Sequence, residues 1–483
     1  MNMEHLDVII IGAGISGIGA GCHLTMTSPD QTFAVLEGRE NLGGTWDLFK
    51  YPGIRSDSDM YTFGYAFRPW TEGRDIASAD SILKYLKETA ETYGVDKKIR
   101  YGHKVGKANW NSTENKWIVD ILPADGRKGF QMSCNFLQTC MGYYNYEHGY
   151  LPKFKGYNTY KGTLVHPQAW PEDLNYTDKK VLVIGSGATA ITLVPSMTDK
   201  AAHVTMLQRS PTYVFTRPAE DKIAKFLKRI FPMRLAYRLV RAKNVLLNIY
   251  MFNKARRHPD KVREFLRDMT KDELGDSVDV DVHFNPSYDP WDQRLCLIPD
   301  SDLFNVLKDG SASIITDHIE TFTKTGVTLK SGEKIEADII IPATGLDVQF
   351  FGGIDLCVDG KKIEPGDLVN YKGMMFSGIP NLAAVFGYTN ASWTLKADLT
   401  SGYVARLVNY MKKHNYNVVT PVLDGTPMQT EPIVGLQSGY LLRKIDALPK
   451  QGDRLPWRNP ENYLKDYKRI RWGKIDDGVL SFK

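Results

Sequence analysis

Two glycine-rich turns, each set between an apolar strand and a helix, restrict this chain more than any other feature. The first follows the apolar run from Leu6 to Ile11, interrupted only by Asp7, and reads Gly12-Ala13-Gly14-Ile15-Ser16-Gly17. A helical stretch to about Thr27 comes next, then a strand, Phe33-Ala34-Val35-Leu36, that ends at Glu37. A strand apolar on both faces is what a covered parallel sheet requires. In such a βαβ unit the first Gly makes the turn, the second lets backbone approach a pyrophosphate, and the third admits close helix packing. Glu37 stands 25 positions after Gly12, where an acid can accept hydrogen bonds from a ribose diol. A purely structural glycine turn is the competing reading. With both strands and the acid in place, the pattern points to FAD or NAD.

The pattern recurs at Val181 to Ile184, followed by Gly185-Ser186-Gly187-Ala188-Thr189-Ala190. The next strand, His203 to Leu207, leads into Gln208-Arg209-Ser210, so Arg209 occupies the place of the acid. A guanidinium there can grip a 2′-phosphate through two parallel hydrogen bonds, whereas a carboxylate would repel it. The second site therefore reads as NADPH, against the plainer alternative of a surface arginine. FAD on the first unit and NADPH on the second make a chemically sensible pair, since a nicotinamide delivers hydride and a flavin passes electrons onward.

These units predict an α/β fold with two Rossmann-like dinucleotide-binding domains. The expected FAD-binding domain is discontinuous, covering residues 1–145 and 340–483. The NADP-binding domain takes 146–339 and carries a helical insertion at about 215–290. Val327 to Leu329 and Ile335 to Ile341 are expected as the arms of a hairpin around Ser331-Gly332. The second arm runs into Ala343-Thr344-Gly345, small residues that permit close backbone approach to a cofactor. The last twenty residues are polar and basic and read as a surface segment.

Composition excludes several classes. The five cysteines are scattered, with no CxxC pair, so neither a disulfide framework nor a metal site is suggested, and a reducing, cytoplasmic setting fits. The early apolar run is broken by Asp7 and ended by Gly12, unlike a signal peptide, and no stretch reaches the roughly 20 residues of a membrane span. The net charge of +5 is unevenly spread: residues 221–263 hold thirteen Lys or Arg against Asp221 and Asp260. Interleaved Leu, Ile, Phe and Tyr make this a helical insertion with a solvated basic face. A membrane-surface or lid role is the alternative, and loose membrane association stays open without being predicted. No nucleic-acid module accompanies the charge.

Other residues resemble a known family. Gly43-Gly44-Thr45-Trp46, then Tyr51-Pro52-Gly53 and Asp57, is similar to the GGxW…YPGxxxD pattern of type I Baeyer–Villiger monooxygenases. Tyr160-Lys161-Gly162, His166, Trp170 and Pro171 resemble that family's FxGxxxHxxxWP fingerprint, with Tyr160 in place of Phe. The likeness extends over nearly the whole chain, and is strongest to the thioamide-oxidising members. It implies an NADPH- and O₂-dependent cycle through a C4a-peroxyflavin, giving Baeyer–Villiger oxidation of ketones and S- or N-oxygenation of sulfides, thioamides and amines. It also implies that Arg294 supplies the fixed positive charge beside the oxygenating species and that Asp57 orients it. Gly44, Thr45, Trp46, Asp57 and Tyr61 join the FAD set. The Asn390-Ala391-Ser392-Trp393 segment would wrap the flavin, and His166 and Trp170 would govern domain movement rather than bond making. Family members commonly carry Lys before the arginine; here Gln293 stands there, which shifts NADPH discrimination onto Arg209 and Ser210.

The rivals are distinguishable. A disulfide reductase needs a cysteine pair near the first helix, where Cys22 stands alone. A heteroatom-only flavin monooxygenase, a peroxide-releasing NADPH oxidase and a flavin-binding protein without turnover remain as alternatives. The natural substrate and the oligomeric state are not written in the motifs.

Overall fold

The computed structural model describes residues 3–483. Strand β1 (Glu4–Ile11) and helix α1 (Ile15–Thr27) open a nine-stranded sheet, with β2 (Phe33–Leu36) and β3 (Ile99–Arg100) in parallel on one side of β1. On the other side, β6 (Phe130–Thr139) lies parallel to β1, and β5 (Lys116–Pro123) and β4 (His103–Asn111) continue antiparallel. Three late strands complete it: Asp355–Val358 beside β4, Lys361–Lys362 antiparallel on its outer edge, and Leu382–Ala384 beside β6. Val8 to Ile10 are fully buried, as a strand covered on both faces must be. Helix Trp393–His414 packs along α1, placing C-terminal sequence directly over the first glycine turn.

A second sheet is wholly parallel, in the order Ala312–Thr316, His203–Gln208, Lys180–Ile184, Ile339–Pro342, Thr163–Leu164. The fold is thus two Rossmann-like α/β units with a helical insertion. Strand Ile339–Pro342, across which the sequence reading drew a boundary, is hydrogen-bonded entirely within this second sheet.

One expectation needs correction. The hairpin's second arm is only Lys334–Glu336, paired with Gly326–Leu329. The chain leaves it at Asp338, whose backbone N–H and carboxylate tie to Lys180, and the following apolar run enters the parallel sheet. An apolar run has no periodicity that separates a hairpin arm from a core strand. The C-terminal twenty residues lie largely at the surface, as expected, but are anchored through buried Asp466, Ile470 and Leu480. Strand Leu480–Phe482 pairs with Val419–Pro421, and fully buried Asp466 accepts a 2.7 Å hydrogen bond from Lys396 Nζ. A buried charge is tolerated when its partner is buried with it, and that pairing is invisible in the tail's composition.

The insertion consists of helices Lys222–Ile230, Met233–Arg257 and Pro259–Leu274. Asp221 caps the first through the N–H groups of Ile223 and Ala224, a cap worth about 1 kcal/mol. The long helix packs on the first unit rather than the one it interrupts. Tyr237 Oη donates to Tyr65 O at 3.0 Å, and buried Arg241 donates to the carbonyls of Tyr61 (2.6 Å) and Gly64 (2.7 Å). Hydrogen bonds from a charged donor contribute roughly 1.5–3 kcal/mol each, so the insertion clasps the two units together.

Candidate active site

Both glycine turns open onto one cleft of about 1490 Å³, larger than the roughly 300–1,000 Å³ that suffices for a single small ligand. Gly12 has φ +98°, and a Cβ there would lie 2.9 Å from Cys140 O. At Gly17 a Cβ would fall 1.8 Å from Gly12 O, so this glycine serves helix packing behind the cleft and does not line it. Gly14 lies against the backbone of Gly44, and α1 begins with no side-chain cap, leaving its first N–H groups available to an anion. Glu37 closes this end. Its carboxylate accepts from Ala13 N (2.8 Å) and Arg39 N (3.0 Å). Burial pushes its pKa up, with those two N–H groups pulling the other way. Ser16 Oγ accepts from Trp393 Nε1 at 2.8 Å, while Trp393 stacks on Tyr143 and Trp46 meets the edge of Phe63. Gly44, Thr45 and Trp46 lie on the cleft wall.

At the other end, Gly185 (φ +144°) approaches Ala343 so closely that a Cβ would sit 2.4 Å from its carbonyl oxygen. The Ala343-Thr344-Gly345 segment thus buttresses the second turn. Gly187 faces open space and starts helix Ala188–Met197 without a side-chain cap, a second anion cradle lined by Ser186, Ala188 and Thr189. Ser186 Oγ bonds Ser210 O and Thr212 Oγ1, which fixes the turn against the following loop. Arg209 and Ser210 are exposed on the cleft, and among the described residues Arg209 has no hydrogen-bond or ion-pair partner.

Asp57 and Arg294 lie between these ends, open to the cleft and enclosed by protein elsewhere. They do not form a direct ion pair. Burial raises the Asp57 pKa, opposed first by Arg294 and then by Arg55, so the coupling acts through space. Arg55 itself is engaged by Asp302. Burial disfavours the charge on Arg294, but Tyr143, Tyr440, Tyr144 and Asp57 outweigh this and leave its pKa raised.

The loop that presents Arg294 is constrained. Trp291 adopts φ +72°, rare for a bulky residue. Asp292 is held by Arg256 Nη1 (2.6 Å), and its carbonyl accepts from Gln437 N (2.7 Å). Asp289 is held by Arg263 at 2.5 Å. Two insertion helices therefore clamp the loop.

Not every expected residue reaches the cleft. Tyr61 is 1% exposed and packs against Tyr237 of the insertion, with Lys228 over its ring, so its side chain supports the wall from behind. His166 and Trp170 also lie off the lining. The His166 ring presses on Gly149, its Nε2 is buried without a partner, and burial lowers its pKa. Tyr160 is accommodated in place of Phe because its hydroxyl donates to Ala337 O at 2.7 Å. Sequence reasoning missed Tyr143, Tyr144 and Tyr440 around Arg294, with Tyr144 Oη donating to Tyr143 Oη at 2.8 Å. The aromatic run Tyr143-Tyr144-Asn145-Tyr146 just after β6 was the available signal. Leu247, Asn248 and Met251 of the insertion also line the cleft, and nothing in their spacing announces it.

Two uncapped glycine turns on one cleft, the first followed by the carboxylate of Glu37 and the second by the guanidinium of Arg209, fit a two-dinucleotide oxidoreductase architecture. Residues 6–278 match the flavin-binding monooxygenase-like family, and the chain belongs to that family. It is 51% identical over 480 residues to the FAD-containing monooxygenase EthA of Mycobacterium tuberculosis, covering 99% of this chain and 98% of the relative. To the probable FAD-binding monooxygenase AlmA of Acinetobacter baylyi it is 47% identical over 481 residues, 99% and 96% of the two chains. Among solved structures it superimposes on OTEMO in complex with FAD and NADP, with a TM-score of 0.77 at 18% identity and 100% coverage of both chains. An oxidised steroid monooxygenase bound to NADP gives a TM-score of 0.77 at 20% identity, covering 99% of both. No helix among the described residues is long and apolar enough to cross a membrane.

Proposed function

We propose that the protein binds FAD at the Gly12–Gly17 turn and NADPH at the Gly185–Thr189 turn, and that it oxygenates small organic substrates with O₂. The reading extends to Baeyer–Villiger oxidation of ketones and S- or N-oxygenation of sulfides, thioamides and amines, with a C4a-peroxyflavin as the oxygenating species. The observation that carries it is the joint opening of both cradles, Asp57 and Arg294 onto one cleft. The relatives named as FAD-containing monooxygenases support the flavin, and the NADP-bound neighbours share the fold.

The residues fit the two cofactors. At the first turn, backbone N–H groups and the start of α1 would hold the pyrophosphate and Glu37 the ribose diol, with Trp46 and Trp393 on the same side of the cleft for the ring system. At the second, Arg209 and Ser210 would take the 2′-phosphate. Bound FAD would supply the electron transfer from NADPH to O₂. Arg294 holds a permanent positive charge where negative charge develops, and a preorganised charge in an enclosed site stabilises it without reorganisation. Asp57 tempers that field without neutralising it, since no direct pair forms. The tyrosines and the clamped loop wall in the same point on its protein side.

The test is rapid-mixing absorbance. The flavin-loaded protein is reduced anaerobically with NADPH, then mixed with oxygenated buffer alone, with a ketone, or with a sulfide. A persistent oxygenated-flavin spectrum that decays faster with either substrate is expected. Acceleration by the sulfide alone would favour heteroatom-only chemistry, and direct return to oxidised flavin with peroxide release would replace the proposal by an oxidase.

A further inference from the structure

We propose that the helical insertion docks the protein on the surface of an anionic lipid bilayer, with its outer helix face lying in the interface. Residues 222–257 contain eleven Lys or Arg and no Asp or Glu, whereas the rest of the chain is net acidic. Interleaved with that charge are large apolar side chains that the fold leaves outside. Ile223, Phe226 and Ile230 of the first insertion helix are all more than half exposed, as are Leu246 and Tyr250 of the second, Phe226 reaching 61%.

Helical geometry makes this arrangement specific. In Met233–Arg257, Leu235, Leu239, Leu246 and Tyr250 fall within about 60° of one another at 100° per residue. The buried residues Tyr237, Val240, Asn244 and Ala255 occupy the opposite side. The helix is therefore apolar on two faces: one satisfied by the protein core, the other by nothing among the described residues. Arg234 and Arg238 flank the outer stripe, exposed and without ion-pair partners among the described residues. Lys222, Arg229, Lys254 and Arg257 are likewise exposed and unpaired among those residues.

Apolar side chains flanked by free Lys and Arg are what an interfacial helix presents to lipid headgroups and the acyl boundary. Charge decides between the occupants. A second copy meeting this face across a two-fold axis would set basic residues against basic residues, while anionic headgroups neutralise them. Position supplies the second argument: the same helix turns Leu247, Asn248 and Met251 into the cleft. The docked face thus lies one helix away from the place where substrate is oxidised, and apolar substrates dissolved in the bilayer have a short route to it. The docking itself does not depend on which substrate is oxidised.

The experiment is vesicle sedimentation of the full-length, flavin-loaded protein at about 0.15 M salt, where bare surface attraction is largely screened. Vesicles of equal phosphatidylcholine and phosphatidylglycerol are compared with phosphatidylcholine alone. The protein is expected to pellet with the mixed vesicles and not with the neutral ones. A triple variant, Phe226→Ser, Leu239→Ser and Tyr250→Ser, is expected to bind about tenfold more weakly or worse, with its flavin content and NADPH oxidation unchanged. Arg234→Gln with Arg238→Gln provides an independent variant that leaves the apolar stripe intact and is expected to weaken binding as well. Failure of the native protein to pellet, or pelleting that both variants share unchanged, would overturn the proposal. So would a dimer in sedimentation velocity that the triple variant dissociates, with no vesicle binding.

Discussion

Replacing Arg209 with alanine removes a guanidinium that the fold leaves free on the cleft wall. Because it has no hydrogen-bond or ion-pair partner among the described residues, its loss orphans no buried group, and stability should move by no more than about 0.5 kcal/mol. The effect should fall on the cofactor. A two-bond contact between a guanidinium and a 2′-phosphate contributes about 1.5–3 kcal/mol, and each 1.4 kcal/mol is tenfold. The kcat/KM for NADPH is therefore expected to drop about 10- to 150-fold by this arithmetic. NADH lacks the phosphate and should change by about twofold or less on the same reasoning. Arg209→Lys, which keeps charge and loses the planar fork, should fall between. Steady-state oxidation of both nucleotides at one ionic strength reads all of this. Equal losses for NADPH and NADH, or an unchanged ratio of the two, would refute the assignment of Arg209 to the 2′-phosphate.

Gln293 lines the same cleft, and Gln293→Lys should raise the NADPH-over-NADH preference several-fold by adding a second cation, measured in the same assay. Gly17→Ala would set a Cβ 1.8 Å from Gly12 O, so the variant should purify with little flavin, read from its absorbance relative to protein. Tyr160→Phe removes the donor to Ala337 O and should lower stability by roughly 1–3 kcal/mol in denaturant titrations, with turnover retained. Burial pushes Asp75 up to about 6 from 3.8, only partly offset by the Asp221 N–H. Between those values the folded protein holds a proton that the unfolded chain has released, so stability falls as pH rises through that window. Asp75→Asn, which still accepts from Asp221 N, should therefore gain on the native protein between pH 4 and pH 7, and a constant difference across that range would contradict the assignment.

How much of this was legible follows from the range of each interaction. The placement of the two glycine turns, Glu37 and Arg209 on one cleft was readable because each depends on backbone geometry within a few residues and on a fixed strand–helix spacing. The small residues at Ala343 were readable as a close approach, although their partner, Gly185, was not. Tyr61 was misjudged as a cofactor contact because a motif specifies neighbours along the chain, while its side chain answers to Tyr237, far away in sequence. The anchoring of the C-terminal segment was not legible for a related reason: a Lys–Asp pair such as Lys396–Asp466 looks solvated in sequence until both members are seen buried together.

The insertion joins these threads. Its composition suggested a solvated basic face, yet its residues do three things that local periodicity does not separate. Arg241 and Tyr237 fasten it to the first unit. Arg256 and Arg263 hold the loop that presents Arg294. Leu247 and Met251 line the cleft beside it. Because the long helix is apolar on opposite faces, its periodic signal nearly cancels. A stretch that looks featureless by that measure is then one that must satisfy two surroundings at once. Its second and third helices are tied to the Arg294 loop through two ion pairs, Arg256–Asp292 and Arg263–Asp289. Weakening either pair should therefore alter turnover more than cofactor affinity, since Arg256 and Arg263 hold the loop that presents Arg294 and not the turns at Gly12 and Gly185.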